Sequence, residues 1–147
     1  QIIYAEGLQG NLDLAGKAFA EYVRAVPREE PNAFDSIGEV YFFVGKYAEA
    51  ERQFLAGVQK FPAFQDGIGK LKAAASRLAA GDSKGAEAIA ADYLDTQRRK
   101  ENRNVPALQA VWKQITGAYA VDGAKAVPDA VEKALMRRPA PSQRPPS

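Results

Sequence analysis

Residues that carry out common catalytic chemistry are scarce in this sequence. Its 147 residues include no histidine and no cysteine. A Ser-His-Asp triad, a cysteine nucleophile, a thiol redox pair and a Cys/His zinc site therefore cannot be built from this chain alone. These classes of catalytic and metal site are excluded.

The remaining candidates for phosphate or metal binding lack the required spacing. Gly67-Ile68-Gly69-Lys70 resembles the end of a phosphate-binding loop, but Phe64 stands where the motif G-x-x-x-x-G-K needs its first glycine. The carboxylates are scattered, and no D-x-D-x-D-G calcium loop is present. We therefore assign no catalytic residue, no cofactor and no metal site, and we expect a protein that is not an enzyme.

Charge is unevenly distributed along the chain. Residues 1–60 hold nine acidic and six basic side chains, whereas residues 61–147 hold nine acidic and fourteen basic ones. The densest basic stretch, 97–103, has four cations and no aromatic residue. This pattern is more typical of a solvated helix end than of a nucleic-acid site, so it disfavours nucleic-acid binding.

Composition favours an all-α fold. The chain contains 28 alanines but only two threonines, and alanine is the best helix former while β-branched residues favour strands. No apolar run approaches the roughly 18 residues of a transmembrane helix, so we expect no membrane insertion.

One segment, residues 31–64, contains two helical patterns separated by Gly45. Antiparallel helices with these patterns must approach closely at Gly38 and Ala50, where only small side chains fit. Pro62 then ends the second helix. The large residues around the crossing are Phe34, Ile37, Tyr41 and Phe54.

This pattern resembles the tetratricopeptide repeat, whose signature is W-x2-L-G-x2-Y, then A-x3-F, then P. The residues at those positions here are Phe34, Ile37, Gly38, Tyr41, Ala50, Phe54 and Pro62. The resemblance implies antiparallel helix pairs that stack into a right-handed α-solenoid.

Weaker copies flank the best repeat. Residues 10–27 align with 45–62 at an offset of 35, and further on Leu71, Ala74, Ala75 and Leu78 take the places of Phe34, Ile37, Gly38 and Tyr41. A repeat domain over 1–138 is therefore predicted, followed by a proline-rich tail or linker at 139–147. Its units are a partial repeat at about 1–30, the best repeat at 31–64, a divergent repeat at 65–103 and a divergent helix pair at 104–138.

The resemblance also implies a concave groove lined by the first helix of each pair. Its positions in the best repeat correspond to Asn32, Asp35, Ser36, Glu39, Phe42 and Phe43. Family members that grip a C-terminal carboxylate carry Lys and Asn where this chain has Asp35 and Glu39. The implied partner is therefore a protein or peptide that is basic or neutral.

Two structural interpretations of these residues stay open. Asp35 follows Asn32, the predicted N-cap, so it equally suits the positive end of the helix dipole. Phe42 and Phe43 suit packing against the next helix pair.

The leading hypothesis is a non-enzymatic interaction scaffold. The alternative is a regulatory or docking segment of a larger multidomain enzyme, because Gln1 falls inside a predicted helix and a proline-rich tail follows the repeats. Self-association is a further expectation, since the ends of a helical stack expose apolar faces. The absence of cysteine leaves a cytoplasmic, periplasmic or secreted location open, with a slight preference for the cytoplasm.

Overall fold

The computed structural model describes residues 30–138, and this part of the chain is helical with no strand. It contains six α-helices and two short 3-10 turns: α1 (Pro31–Phe43), α2 (Tyr47–Lys60), the turn Phe64–Gly67, α3 (Gly69–Ala79), α4 (Ser83–Arg99), α5 (Val105–Asp122), the turn Ala124–Ala126 and α6 (Val127–Ala134). The predicted all-α fold is confirmed for these residues. The predicted partial repeat before residue 30 and the predicted tail at 139–147 lie outside them.

Two matching turns separate the helices of the first two pairs. Gly45 N–H donates to the Phe42 carbonyl and Lys46 N–H donates to the Tyr41 carbonyl, and the same pair of bonds recurs 36 positions later around Gly81. Both glycines have positive φ, +85° and +98°, a conformation that other residues adopt only at a cost. The predicted break at Gly45 is therefore confirmed, and Gly81 ends α3 through the same motif.

The crossing of α1 and α2 is close enough to require glycine. A Cβ atom built on Gly38 would lie 2.5 Å from Cε1 of Phe54, and one built on Gly57 would lie 2.8 Å from Cβ of Phe34. Ile37 and Ala50 are also fully buried. Among the other predicted packing residues, Tyr41 is half-buried against the core and Pro62 lies exposed just after α2 ends.

Helix α3 lies at the centre of the described fold, in contact with α2, α4, α5 and α6. Ala73, Ala74 and Ala75 are completely buried, so neighbouring helices can approach α3 from several sides. The matched turns bring Ala74, not the predicted Ala75, to the place of Gly38. The predicted register was wrong by one residue, because any of three consecutive alanines can be aligned with Gly38.

The last helices form a third pair. Trp112 and Ile115 of α5 and Val127 and Val131 of α6 are buried in the common core. Gly123, with φ of +81°, ends α5. Helix α6 also packs against α3, so the end of the described chain folds back toward the first two pairs.

One predicted helix start is wrong. Helix α1 begins at Pro31 with Glu30 in the N-cap position, and Asn32 lies inside the first turn. Proline at the first helical position explains the earlier start, since its missing N–H would be unpaired there anyway.

No helix within residues 30–138 is both long enough and apolar enough to cross a membrane.

Candidate functional site

A buried lysine joins two carboxylates of α1 to α3. Asp35 and Glu39 lie one helical turn apart on α1, and Nζ of Lys72 is 2.8 Å from both Oδ1 of Asp35 and Oε2 of Glu39. Lys72 is only 5% exposed, and its Nζ also lies 5.9 Å from the centre of the Phe54 ring. The lysine thus ties the first helix of one pair to the first helix of the next.

Burial and charge act in opposite directions on this cluster. Burial raises the pKa of Glu39 above its usual value, and the positive charge of Lys72 opposes the rise. For Lys72, burial alone would lower the pKa, but the charges of Glu39 and Asp35 and their hydrogen bonds together raise it. Lys72 therefore stays charged at neutral pH.

The cluster carries one more carboxylate than it has lysines. Oδ2 of Asp35 and Oε1 of Glu39 make no hydrogen bond within residues 30–138, and neither is fully buried. Two carboxylates against one ammonium group leave a net negative charge at the surface of α1. This surface can accept hydrogen bonds from a cation or from an amide.

These carboxylates lie in an open depression of about 570 Å³, which we call the groove. It is lined by Asn32, Asp35, Glu39, Gln65, Lys72 and residues 132–137. Three of the six predicted groove residues, Asn32, Asp35 and Glu39, are thus brought together at one surface. Ser36 is half-buried on the same helix.

The two predicted aromatic groove residues lie in the core instead of lining this depression. Phe42 is 0% and Phe43 is 5% exposed, and their rings meet edge to face with centroids 5.0 Å apart. The ring of Tyr47 lies 5.2 Å from that of Phe42. Phe42 and Phe43 are therefore core residues of α1, as the packing interpretation expects.

A strained turn carries Gln65 to the edge of the groove. Gln65 and Asp66 both have positive φ, 49° and 56°, which costs free energy for residues other than glycine. Two side chains of α4 secure the turn, since Tyr93 Oη and Gln97 Nε2 donate to the Asp66 carbonyl at 3.3 and 3.1 Å. Tertiary hydrogen bonds from α4 thus hold the turn in this conformation.

The sequence offered one overlooked signal for this site. Lys72 is flanked by the apolar residues Leu71 and Ala73 of α3, and α1 carries two acids that need a partner. Gln65 and residues 132–137 offered no such signal, because only the tertiary fold brings them beside α1.

A second depression lies between α4 and α5. It is lined by Glu87, Ala91, Asp92, Leu94, Asp95, Arg98 and Trp112. Its charged groups are largely occupied: Asp92 pairs with Lys70, Asp95 with Arg99, and Glu87 accepts from the Trp112 indole. It has fewer groups available for a ligand than the groove has.

The basic stretch 97–103 is partly structural. Gln97 is buried and binds both the Asp66 carbonyl and the Asn102 amide. Arg98 and Arg99 both lie within ion-pair distance of Asp95. Across the described residues, no group of three or more acidic side chains is arranged to hold a metal ion.

Comparison of the chain with protein-family models, with curated proteins and with solved structures finds no match.

Proposed function

We propose that this protein is a non-enzymatic module that binds a protein or peptide segment in the groove, as the concave face of a tetratricopeptide-like right-handed superhelix. The observation that carries the proposal is the groove itself, in which Asp35 and Glu39 are held by Lys72 at an open surface. The signature residues from Phe34 to Pro62 support the family resemblance.

The groove is suited to an extended peptide with basic or neutral side chains. The carboxylates of Asp35 and Glu39 are fixed before any ligand arrives, so binding costs little side-chain entropy on this wall. The amides of Asn32 and Gln65 lie on the same surface and offer both donors and acceptors for a peptide backbone. A ligand carboxylate would meet the negative charge of α1 and is disfavoured.

The proposal is tested by selecting peptides from a displayed random library on the wild-type protein. Binding of the selected peptides is then measured with the triple variant Asp35→Asn/Glu39→Gln/Lys72→Met, which removes the charges of the cluster without leaving one unpaired. We expect enriched basic peptides whose affinity falls at least about tenfold, roughly 1.4 kcal/mol, in the variant.

The matched control is Asp122→Asn/Glu101→Gln/Lys113→Met, which makes the same charge change at exposed positions. This control variant should bind the selected peptides with the affinity of the wild type. Failure to enrich any peptide, or equal losses in both triple variants, would contradict the proposal.

A further inference from the structure

The four residues after α6 return toward the first helix pair, and we call residues 135–138 the return segment. The amides of Leu135 and Met136 donate to the Val131 carbonyl at 2.8 and 2.9 Å, which fixes the direction of the chain as α6 ends. Met136 is 3% exposed and belongs to the hydrophobic core. Met136 therefore anchors the segment against the body of the protein.

Two arginines of the return segment follow this anchor. The guanidinium of Arg138 lies 4.5 Å from the centre of the Phe43 ring, a cation–π contact on the helix that carries Asp35 and Glu39. Its Nε and Nη2 lie 3.0 and 2.9 Å from Oε1 of Glu132. Arg138 is thus held across the boundary between α6 and α1.

Arg137 lines the groove itself, together with Asp35 and Glu39. Its positive charge acts on Glu39, where it favours the ionised carboxylate. Arg137 therefore places a cation near Asp35 and Glu39. Lys72 alone neutralises only part of the charge of these two carboxylates.

We propose that the return segment is a built-in competitor of the ligand, and that an arginine-bearing peptide binds the groove by displacing Arg137 from the groove and Arg138 from the Phe43 ring. This inference rests on the proposed function and names the ligand chemistry as a guanidinium group that approaches Asp35 and Glu39. The charge of the groove fits this chemistry, because a ligand arginine would present the same guanidinium group that Arg137 places in the groove.

A tethered competitor has a calculable effect. A segment attached to the protein acts at an effective concentration in the millimolar range. If only a fraction of molecules has the groove open, the apparent dissociation constant rises by the inverse of that fraction. Loosening the segment should therefore tighten the binding of an added peptide without any new contact.

The test uses a fluorescein-labelled peptide of alternating arginine and alanine, blocked at both ends, with a glutamine-for-arginine peptide as its reference. Fluorescence anisotropy gives its affinity for the wild type and for Arg137→Gln, Arg138→Ala and Arg103→Ala. We expect about three- to tenfold tighter binding to the first two variants. Arg103→Ala removes an exposed cation that does not line the groove and should leave the affinity unchanged.

A second readout separates displacement from a simple change in charge. The Arg138 side chain over Phe43 should show a ring-current-shifted Nε–H signal in the NMR spectrum, assigned by its loss in Arg138→Ala. Saturating peptide should move this signal to the position of a solvent-exposed arginine. Arg137→Gln leaves the contacts of Arg138 intact, so it serves even if Arg138→Ala unfolds.

The outcomes distinguish the two proposals. Peptide binding with an unmoved Arg138 signal would overturn the competitor and leave the groove function standing. A peptide that fails to bind the wild type and both arginine variants would overturn the arginine ligand and its competitor, while the library selection decides the groove function.

Discussion

Lys72 is the residue on which the geometry of the groove depends. It is buried, yet it carries a charge that is offset by two carboxylates from another helix. A buried ion pair is a poor source of net stability, because desolvation offsets the attraction, but breaking one partner leaves an uncompensated charge. Lys72 therefore matters most as the group that fixes where Asp35 and Glu39 point.

The variant Lys72→Met should be strongly destabilised. It leaves two carboxylates close together without their cation, and we expect a loss of about 3 kcal/mol in the free energy of unfolding. The triple variant Asp35→Asn/Glu39→Gln/Lys72→Met should recover most of this loss. Denaturant unfolding measures both, and a triple variant as unstable as the single one would show that packing, not charge, explains the effect.

Tyr93 gives the protein a specific response to alkaline pH. Burial, followed by the negative charge of Asp66, raises the pKa of Tyr93 to about 12. Because the pKa is raised in the folded state, the protonated Tyr93 phenol stabilises the folded protein. This stabilisation is complete below the ordinary pKa of 10.0 and is lost as pH rises through 12.

We therefore expect the phenolate absorbance of the folded protein to include one late-ionising tyrosine that is missing in Tyr93→Phe. Between pH 10 and 12, the denaturation midpoint of Tyr93→Phe should fall less steeply than that of the wild type. Equal slopes for the two proteins would show that Tyr93 ionises normally.

At the scale of the elements, two glycines in helices should respond oppositely to the same substitution. Gly38→Ala places a methyl group 2.5 Å from the Phe54 ring, so we expect a loss of about 1–3 kcal/mol. Gly117→Ala on α5 meets no atom within 4 Å and should gain roughly 0.5–1 kcal/mol from its higher helix propensity.

Thermal unfolding of the two glycine variants provides the comparison. Equal effects at both positions would mean that α1 and α2 do not cross as closely as described. Phe54→Leu added to Gly38→Ala should restore part of the lost stability, since it shortens the side chain that the new methyl group meets.

The elements show what local sequence can and cannot predict. The breaks at Gly45, Gly81 and Gly123 were predictable, because a positive φ at a helix end favours glycine whatever the tertiary fold. The start of α1 was not predictable, because Pro31 and Asn32 each suit the beginning of a helix. The register of α3 was not predictable either, because its consecutive alanines can be aligned in more than one way.

The same contrast applies to the groove. Asp35 and Glu39 were found through a resemblance that needs only their positions in one repeat. Lys72 lies 37 and 33 positions from them, and its partnership depends on how α3 packs against the first pair. The return segment is more distant still, and only the fold reveals that Arg138 reaches Phe43 of α1 and that Arg137 lines the groove.

At the scale of the whole molecule, the described chain is a sequence of helix pairs whose last helix turns back. Helix α3, which belongs to the second pair, contacts both the first and the third pair, and Met136 adds the return segment to the same core. The groove is therefore bounded by α1 and α3 on one side and by residues 132–137 on the other. A ligand there would contact residues that are distant in the sequence.

Peptide binding at this groove is open to direct measurement. The most direct measurement is an NMR titration of the wild-type protein with the tightest peptide from the library selection. We expect the backbone amide shifts to concentrate in residues 32–39, at Gln65 and Lys72, and in residues 132–138. Shifts concentrated at Glu87, Asp95 and Trp112, or spread evenly over the described helices, would contradict it.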